Sequence, residues 1–388
     1  MTLPLLPPEP PALVRPVIVA PAPRQISFGA VSGTLGAGTV RIVVKVGQTT
    51  AADTPVSGTS FRFDVDLPPR DVTIRVIAYD SAGNTAAASV GPVFGLPQAG
   101  YPTAIIGEED SVLARRIRLL AQGYPGTAAV FVQDLRTGRG AAWNARARFQ
   151  AASTLKVGIA VEVLRVLRGP PRPGTRLANL LWRMLVYSDN QAANDLEVWL
   201  GGSTSAGAAR VNATLQTLRL RDTHMSGGFI IGTSSTRPIP LRVERQPPYY
   251  SLGRYTTAWD LARLHGFVHR AAAGRGVLLR LPGNFTPPDA RYLLYLLAHV
   301  RDPGKIERYI ATRPDVAVLH KAGWIMHARH DSGLVFWSRG AFVVVVMTWN
   351  GAGAGASSDV LAGRVALAAL RRFSATITAR FPGRILRS

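Results

Sequence analysis

The sequence predicts two domains. A small all-β antiparallel sandwich covers residues 25–97, and a mixed α/β domain covers 107–388. Three observations carry that prediction. Between Gln25 and Pro97, apolar residues recur every second position in short runs separated by turn residues. Beyond residue 107 the spacing changes to three and four, and helical stretches alternate with strand pairs. The charge divides in the same region: residues 1–100 hold seven Arg or Lys against six Asp or Glu, and the rest carry +21 of the formal +22.

A chain of 388 residues with 47% apolar residues has material for real cores, which excludes a wholly disordered protein. The absence of cysteine excludes disulfides, thiolate nucleophiles, zinc–thiolate sites and iron–sulfur clusters together. No apolar run reaches the ~18 residues of a membrane span. Nearly all the basic residues are arginine, and the only lysines are Lys45, Lys156, Lys305 and Lys321. Lysine-to-arginine drift is easy on a surface and hard where the lysine must lose its proton, so these four merit inspection.

Residues 1–24 are proline-rich, which forbids a continuous helix and predicts a disordered tail without a standard signal peptide. The sandwich follows. Val40, Ile42 and Val44 form one run, Phe61, Phe63 and Val65 a second, and Val72, Ile74, Val76 and Ala78 a third. Turn signals lie at Gly33 to Gly38, Thr54 to Gly58, Pro68-Pro69 and Ser81 to Asn84. The stretch Val76 to Asn84 resembles bacterial immunoglobulin-like domains, which implies a spacer or adhesion unit of a surface or secreted protein. Residues 98–106 read as a linker.

In the second domain, Val112, Leu113, Ile117 and Leu120 mark a helix, and Thr127 to Asp134 with Ala141 to Trp143 mark a strand pair. Three motifs then stand out. Ser153-Thr154-Leu155-Lys156 opens a helix, where positions i and i+3 share a face with Cβ atoms ~5–6 Å apart. A partly desolvated lysine there can take the proton that makes a serine nucleophilic, and the helix N-terminus offers backbone N–H groups to an oxyanion. The same residues also suit a helix cap with a surface lysine. Ser188-Asp189-Asn190 lies between two apolar helices; Ser188 can relay a proton and Asn190 can bind an amide, while Ser188 or Asp189 also suits an N-cap. Lys321-Ala322-Gly323 falls on a strand from Ala317 to Trp324. Gly323 there admits close approach to the backbone, and a lysine also suits an edge strand.

In this order, S-x-x-K, SDN and K-x-G form the motif set of class A β-lactamases and penicillin-binding proteins. Two of the four lysines occupy the two required positions. Residues from about 105 to 388 therefore resemble the class A β-lactamase-like serine hydrolases. The flanking Phe149-Gln150-Ala151-Ala152, Met184 to Tyr187, His327 to Gly333 and Tyr255 to Leu264 agree with the resemblance.

The resemblance implies a β-lactamase/D,D-peptidase-like α/β fold, an antiparallel sheet flanked by helices. It implies Ser153 as nucleophile, Lys156 as its base and Ser188 as proton shuttle. Asn190 would bind the substrate amide and Lys321 the carboxylate, with Gly323 leaving room and the N–H groups of Ser153 and Trp324 forming the oxyanion hole. It implies no metal and no organic cofactor. The implied substrate is a β-lactam or a peptidoglycan peptide, at an extracellular or cell-wall location. The basic surface suits anionic wall polymers, and no nucleic-acid-binding motif is present.

Two departures stand out. Ala322 replaces the family's Thr or Ser, and losing such a charge-assisted contact costs about 1.5–3 kcal/mol. The deacylating glutamate's E-x-x-L-N motif is also absent between Asn190 and Lys321. In the stretch that corresponds to that loop the acids are Asp222, which matches a structural position before it, and Glu244, a poor match that remains the candidate for that base. A long-lived acyl-enzyme, as in a penicillin-binding protein or D-alanyl-D-alanine peptidase, is the alternative to rapid turnover. An esterase and a non-catalytic wall-binding module are further alternatives.

Overall fold

The computed structural model describes residues 13–102, 107–167, 169–229 and 254–379, with side chains to 375. It divides into two compact units, Met1–Leu96 and Pro97–Ser388.

Among the described residues the first unit contains eight strands: β1 (Val17–Ala20), β2 (Ile26–Ser27), β3 (Ala30–Thr34), β4 (Arg41–Val46), β5 (Thr49–Pro55), β6 (Ser60–Asp64), β7 (Asp71–Tyr79) and β8 (Thr85–Gly95). They form one sheet of order β1-β3-β6 and another of order β2-β8-β7-β4-β5. Val31 and Phe61 from the first sheet share a core with Ile42, Val44, Ile74 and Val76 from the second. The turn from β7 to β8 is closed by Asp80, whose Oδ1 accepts from the N–H groups of Ala82 and Asn84 at 2.9 and 2.8 Å.

Residues 17–20 do not belong to a disordered tail, because β1 pairs antiparallel with β3, Val17 opposite Thr34. Pro16 and Pro21 bracket the β-branched run Val17-Ile18-Val19, so the prolines terminate a strand at each end and leave its interior free to pair.

The second unit opens with a 3-10 turn, Gln98–Gly100. Gly100 O lies 2.8 Å from His269 Nε2, so residues 98–100 pack within this unit and are not a free linker. The elements that follow are β9 (Glu108–Glu109), α1 (Ser111–Gln122), β10 (Thr127–Asp134), β11 (Arg139–Trp143), β12 (Phe149–Gln150), α2 (Lys156–Val166), α3 (Arg176–Val186), α4 (Asn190–Gly201), α5 (Thr204–Thr217), β13 (Tyr255–Thr256), α6 (Ala258–Ala272), α7 (Pro287–Ala298), β14 (Ala317–Ile325), β15 (Ala328–Trp337), β16 (Gly340–Trp349) and α8 (Ala356–Ala379).

Six strands form a sheet of order β14-β15-β16-β10-β11-β9, in which all pairings are antiparallel except the short β9–β11 contact. Helices α1 and α8 cover one face, where Leu113, Ile117, Val365 and Phe373 meet Val130, Phe342, Val344 and Val346. Helix α6 packs against β10, β15 and β16. Every residue from Ala341 to Thr348 is buried, which explains the unbroken apolar run in β16: both faces of this central strand are covered. At the other extreme β14 is an edge strand, and it packs against the 3-10 turn Ala152–Leu155.

Candidate active site

The short ribbon of β12 and β13 delivers the first motif. Phe149 pairs with Thr256 and Gln150 with Tyr255, and the Ala151 N–H donates to Arg254 O at 2.9 Å. The chain then turns sharply. Ala152 has φ +48°, a left-handed conformation costly for a residue with a Cβ, and a 3-10 turn over Ala152–Leu155 carries Ser153. Helix α2 begins at Lys156, so Ser153 sits on this turn and not on the helix proper.

Lys156 is fully buried. Its Nζ donates to Ser188 O at 2.6 Å and Asn190 Oδ1 at 2.7 Å, and lies 3.4 Å from Ser188 Oγ. Among the described residues no hydrogen bond joins it to Ser153. A neutral amine has two N–H donors and one lone pair, so these two oxygens occupy both donors and leave the lone pair for a proton. Burial, then the Lys321 and Arg254 cations, push Lys156 down to about 6.

Ser188 has φ +58°, the second left-handed residue of the site. It precedes Asp189, the N-cap of α4, whose side chain accepts from Ala192 N at 3.0 Å and also binds the Arg183 guanidinium. Those bonds hold the Asp189 carboxyl below the usual carboxylate range, against the effect of its partial burial. Asp189 thus builds the corner that presents Ser188 and Asn190.

Lys321, on β14, is also fully buried and donates to Ser188 Oγ and to Ala322 O, both at 2.9 Å. Burial pushes it down to about 8, opposed by the attraction of Asp302 and Asp331. Two residues further along the strand, Gly323 faces the turn that carries Ser153. A Cβ on Gly323 would stand 2.7 Å from Ser153 N and 2.8 Å from Thr154 N, so only glycine lets β14 lie against the turn. Trp324 follows with its side chain 60% exposed. Ser153, Lys156, Ser188, Asn190, Lys321 and Gly323 are therefore brought together. Glu244 lies outside the described residues.

Four neighbours were missed by sequence reasoning. Asn194, on α4, clamps the backbone of Phe229, donating to Phe229 O at 2.9 Å and accepting from Phe229 N at 2.5 Å. Phe229 holds its ring 4.7 Å from Lys156 Nζ, and Arg254 stacks on the same ring at 3.7 Å. Glu197 is buried and accepts from Gly228 N at 2.8 Å. Burial raises its carboxyl, opposed by Gly228 and the nearby Arg254 and Lys156. No sequence signal marks these four as a set, because they meet only through the fold.

On the other face of β14, His320 Nδ1 lies 2.9 Å from both oxygens of Asp331. Asp331 also accepts from Ile306 N and Ser332 N. Glu307, His320 and Asp331 bring potential ligand atoms within 4.8 Å of one another, yet His320 is already engaged in the ion pair with Asp331.

Comparison with known proteins agrees with this arrangement. The profile of the beta-lactamase enzyme family matches residues 112–169 and 166–373. The fold is similar to that of PBP-A, with a TM-score of 0.53 and 21% identity over 72% of this chain and 99% of that one. It is also similar to a PBP-A variant solved as an acyl-enzyme complex with penicillin G, with a TM-score of 0.52 and 20% identity over 69% of this chain and 98% of that one. A third similar structure is the β-lactamase of Sphaerobacter thermophilus, with a TM-score of 0.52 and 21% identity over 69% and 98% of the two chains. A search of curated protein sequences gives no match. The second unit has the α/β fold of the β-lactamases and penicillin-binding proteins, the fold of a serine hydrolase. The chain belongs to the beta-lactamase enzyme family.

Proposed function

We propose that the chain is a serine acyl hydrolase that opens β-lactams through an acyl-enzyme on Ser153 and releases the product slowly. The observation that carries this reading is the convergence of two buried lysines on Ser188 Oγ, at 3.4 and 2.9 Å, beside the turn that bears Ser153. Uncharged Lys156 takes the Ser153 proton as the oxygen attacks the lactam carbonyl. The C–N bond breaks, and the departing nitrogen takes a proton from Ser188, which Lys156 or Lys321 replaces. The backbone N–H groups of Ser153 and Trp324 hold the oxyanion. Asn190 binds the substrate amide and Lys321 its carboxylate, without help from a hydroxyl at Ala322.

Slow release is supported by what surrounds Lys156. Of its two carboxylate neighbours, Asp189 is a helix cap and Glu197 accepts the Gly228 N–H through Oε2, while its buried Oε1 has no partner among the described residues. The group against Lys156 is the phenyl ring of Phe229. This observation favours penicillin-binding behaviour, in which a D-alanyl-D-alanine terminus of a peptidoglycan peptide is the natural acyl donor. The reading goes with a location outside the cell or in the wall. The first unit would then be an immunoglobulin-like spacer, and the basic surface would face anionic wall polymers. Among the described residues no helix is long and apolar enough to cross a membrane.

The test is intact mass followed over time with penicillin, with Ser153→Ala in parallel. A lasting adduct on the parent protein alone supports the proposal. A transient adduct with consumed penicillin overturns slow release and makes Glu244→Gln the next variant. No adduct and no consumption overturns the β-lactam reading.

A further inference from the structure

Arg254 is a half-buried arginine with no carboxylate in direct contact among the described residues. Its Nε donates to Ser226 O at 3.2 Å, a second nitrogen donates to Gly228 O, and its guanidinium lies 3.7 Å from the centre of the Phe229 ring. The same ring lies 4.7 Å from Lys156 Nζ. The Arg254 carbonyl accepts from Ala151 N, two residues ahead of Ser153, so the residue is tied to the nucleophile turn by its backbone and to the loop by its side chain. That loop is itself pinned: Asn194 holds both polar groups of the Phe229 backbone, and Glu197 holds Gly228 N. A Cβ on Gly227 would strike Ser205 N at 2.4 Å, so the loop lies hard against the start of α5. The position of the guanidinium is thus set by several elements at once.

We propose that Arg254 is a positioning residue whose fixed cation, held on the Phe229 ring, keeps Lys156 from retaining a proton and so makes it the acceptor for the Ser153 proton. This rests on the acyl-hydrolase reading for its purpose but not for its measurement. Guanidinium stays charged at every working pH, and a second cation on the same ring disfavours the ammonium form of its neighbour. The charged groups around Lys156 are Lys321 from β14 and Arg254 from the edge of β13, which disfavour its charge. Asp189, the N-cap of α4, and Glu197, within α4, favour it. Removing Arg254 leaves the two carboxylates opposed by Lys321 alone, so Lys156 must become more basic.

The chain has four lysines, so lysine labelled with carbon-13 at Cε gives four resonances, each assigned by one substitution. Titration of the Lys156 resonance in the full chain is the experiment. Arg254→Met is expected to raise its midpoint by about one pH unit. Arg254→Lys, which keeps the cation and adds a fifth resonance, is expected to stay near the parent value. Glu197→Gln removes the α4 carboxylate that holds the same loop and is not expected to raise the midpoint. A loosened loop would admit water and raise the midpoint in all three variants, which would overturn the proposal, as would an unmoved midpoint in Arg254→Met. If Ser153 forms no adduct while the midpoint moves as described, the acyl-hydrolase reading fails and this inference stands.

Discussion

Lys156 and Lys321 reach the same hydroxyl from two differently built regions. Lys156 starts a helix after a strained turn, and Lys321 lies mid-strand on the sheet edge. Both are fully buried, and burial lowers both. Their surroundings then separate them. Lys156 meets Lys321 and Arg254 and falls to about 6, whereas Lys321 is supported by Asp302 and Asp331 and stops at about 8. Near neutral pH one amine is free to accept a proton and the other keeps its charge. The same side chain is thus suited to act as base or as cation according to the charges buried beside it.

The largest break in this comparison is Lys156→Met. It removes the proposed base and leaves the Lys321 cation, and adduct formation on Ser153 should fall about 10⁴-fold, read by intact mass against time. Asp331→Asn attacks the other lysine through its support. It breaks a buried pair with His320 and should cost about 3 kcal/mol of stability in denaturant unfolding. It should also leave Lys321 easier to deprotonate, moving the loss of activity to lower pH.

Gly323→Ala tests the contact between the two regions. The added methyl meets two backbone nitrogens of the nucleophile turn at 2.7 and 2.8 Å. Adduct formation should drop about 100-fold, since misplacing reacting groups by an ångström costs on that order, and the thermal midpoint should fall as well, because the methyl forces two backbone segments apart at a cost of about 1–3 kcal/mol. The mildest probe is pH. Lys156 must be neutral and Lys321 charged, so the acylation rate should rise through about 6 and fall through about 8, with tenfold limbs per pH unit. A profile with only the rising limb would show that the Lys321 charge is not needed.

Much of the fold was legible because it is written locally. Period-two runs marked β4, β6 and β7, and Asp189 and Thr257 stand at the starts of α4 and α6 as their side chains require. The prolines of the first 24 residues misled, since composition cannot tell a strand terminator from a strand breaker, and β1 was found only by its pairing with β3.

The sequence by itself determined which chemistry is on offer. A serine and a lysine three apart, a Ser-Asp-Asn corner and a lysine two residues before a glycine are local facts about spacing. Tertiary structure alone decided how that chemistry is set. The partners of Lys156 come from Ser188, Asn190, Phe229 and Arg254, far away along the chain. Burial and Coulomb interaction depend on distance in space, which sequence order does not reveal. The ring beside the base, the arginine stacked on it and the two acids supporting Lys321 became visible only once the chain was folded.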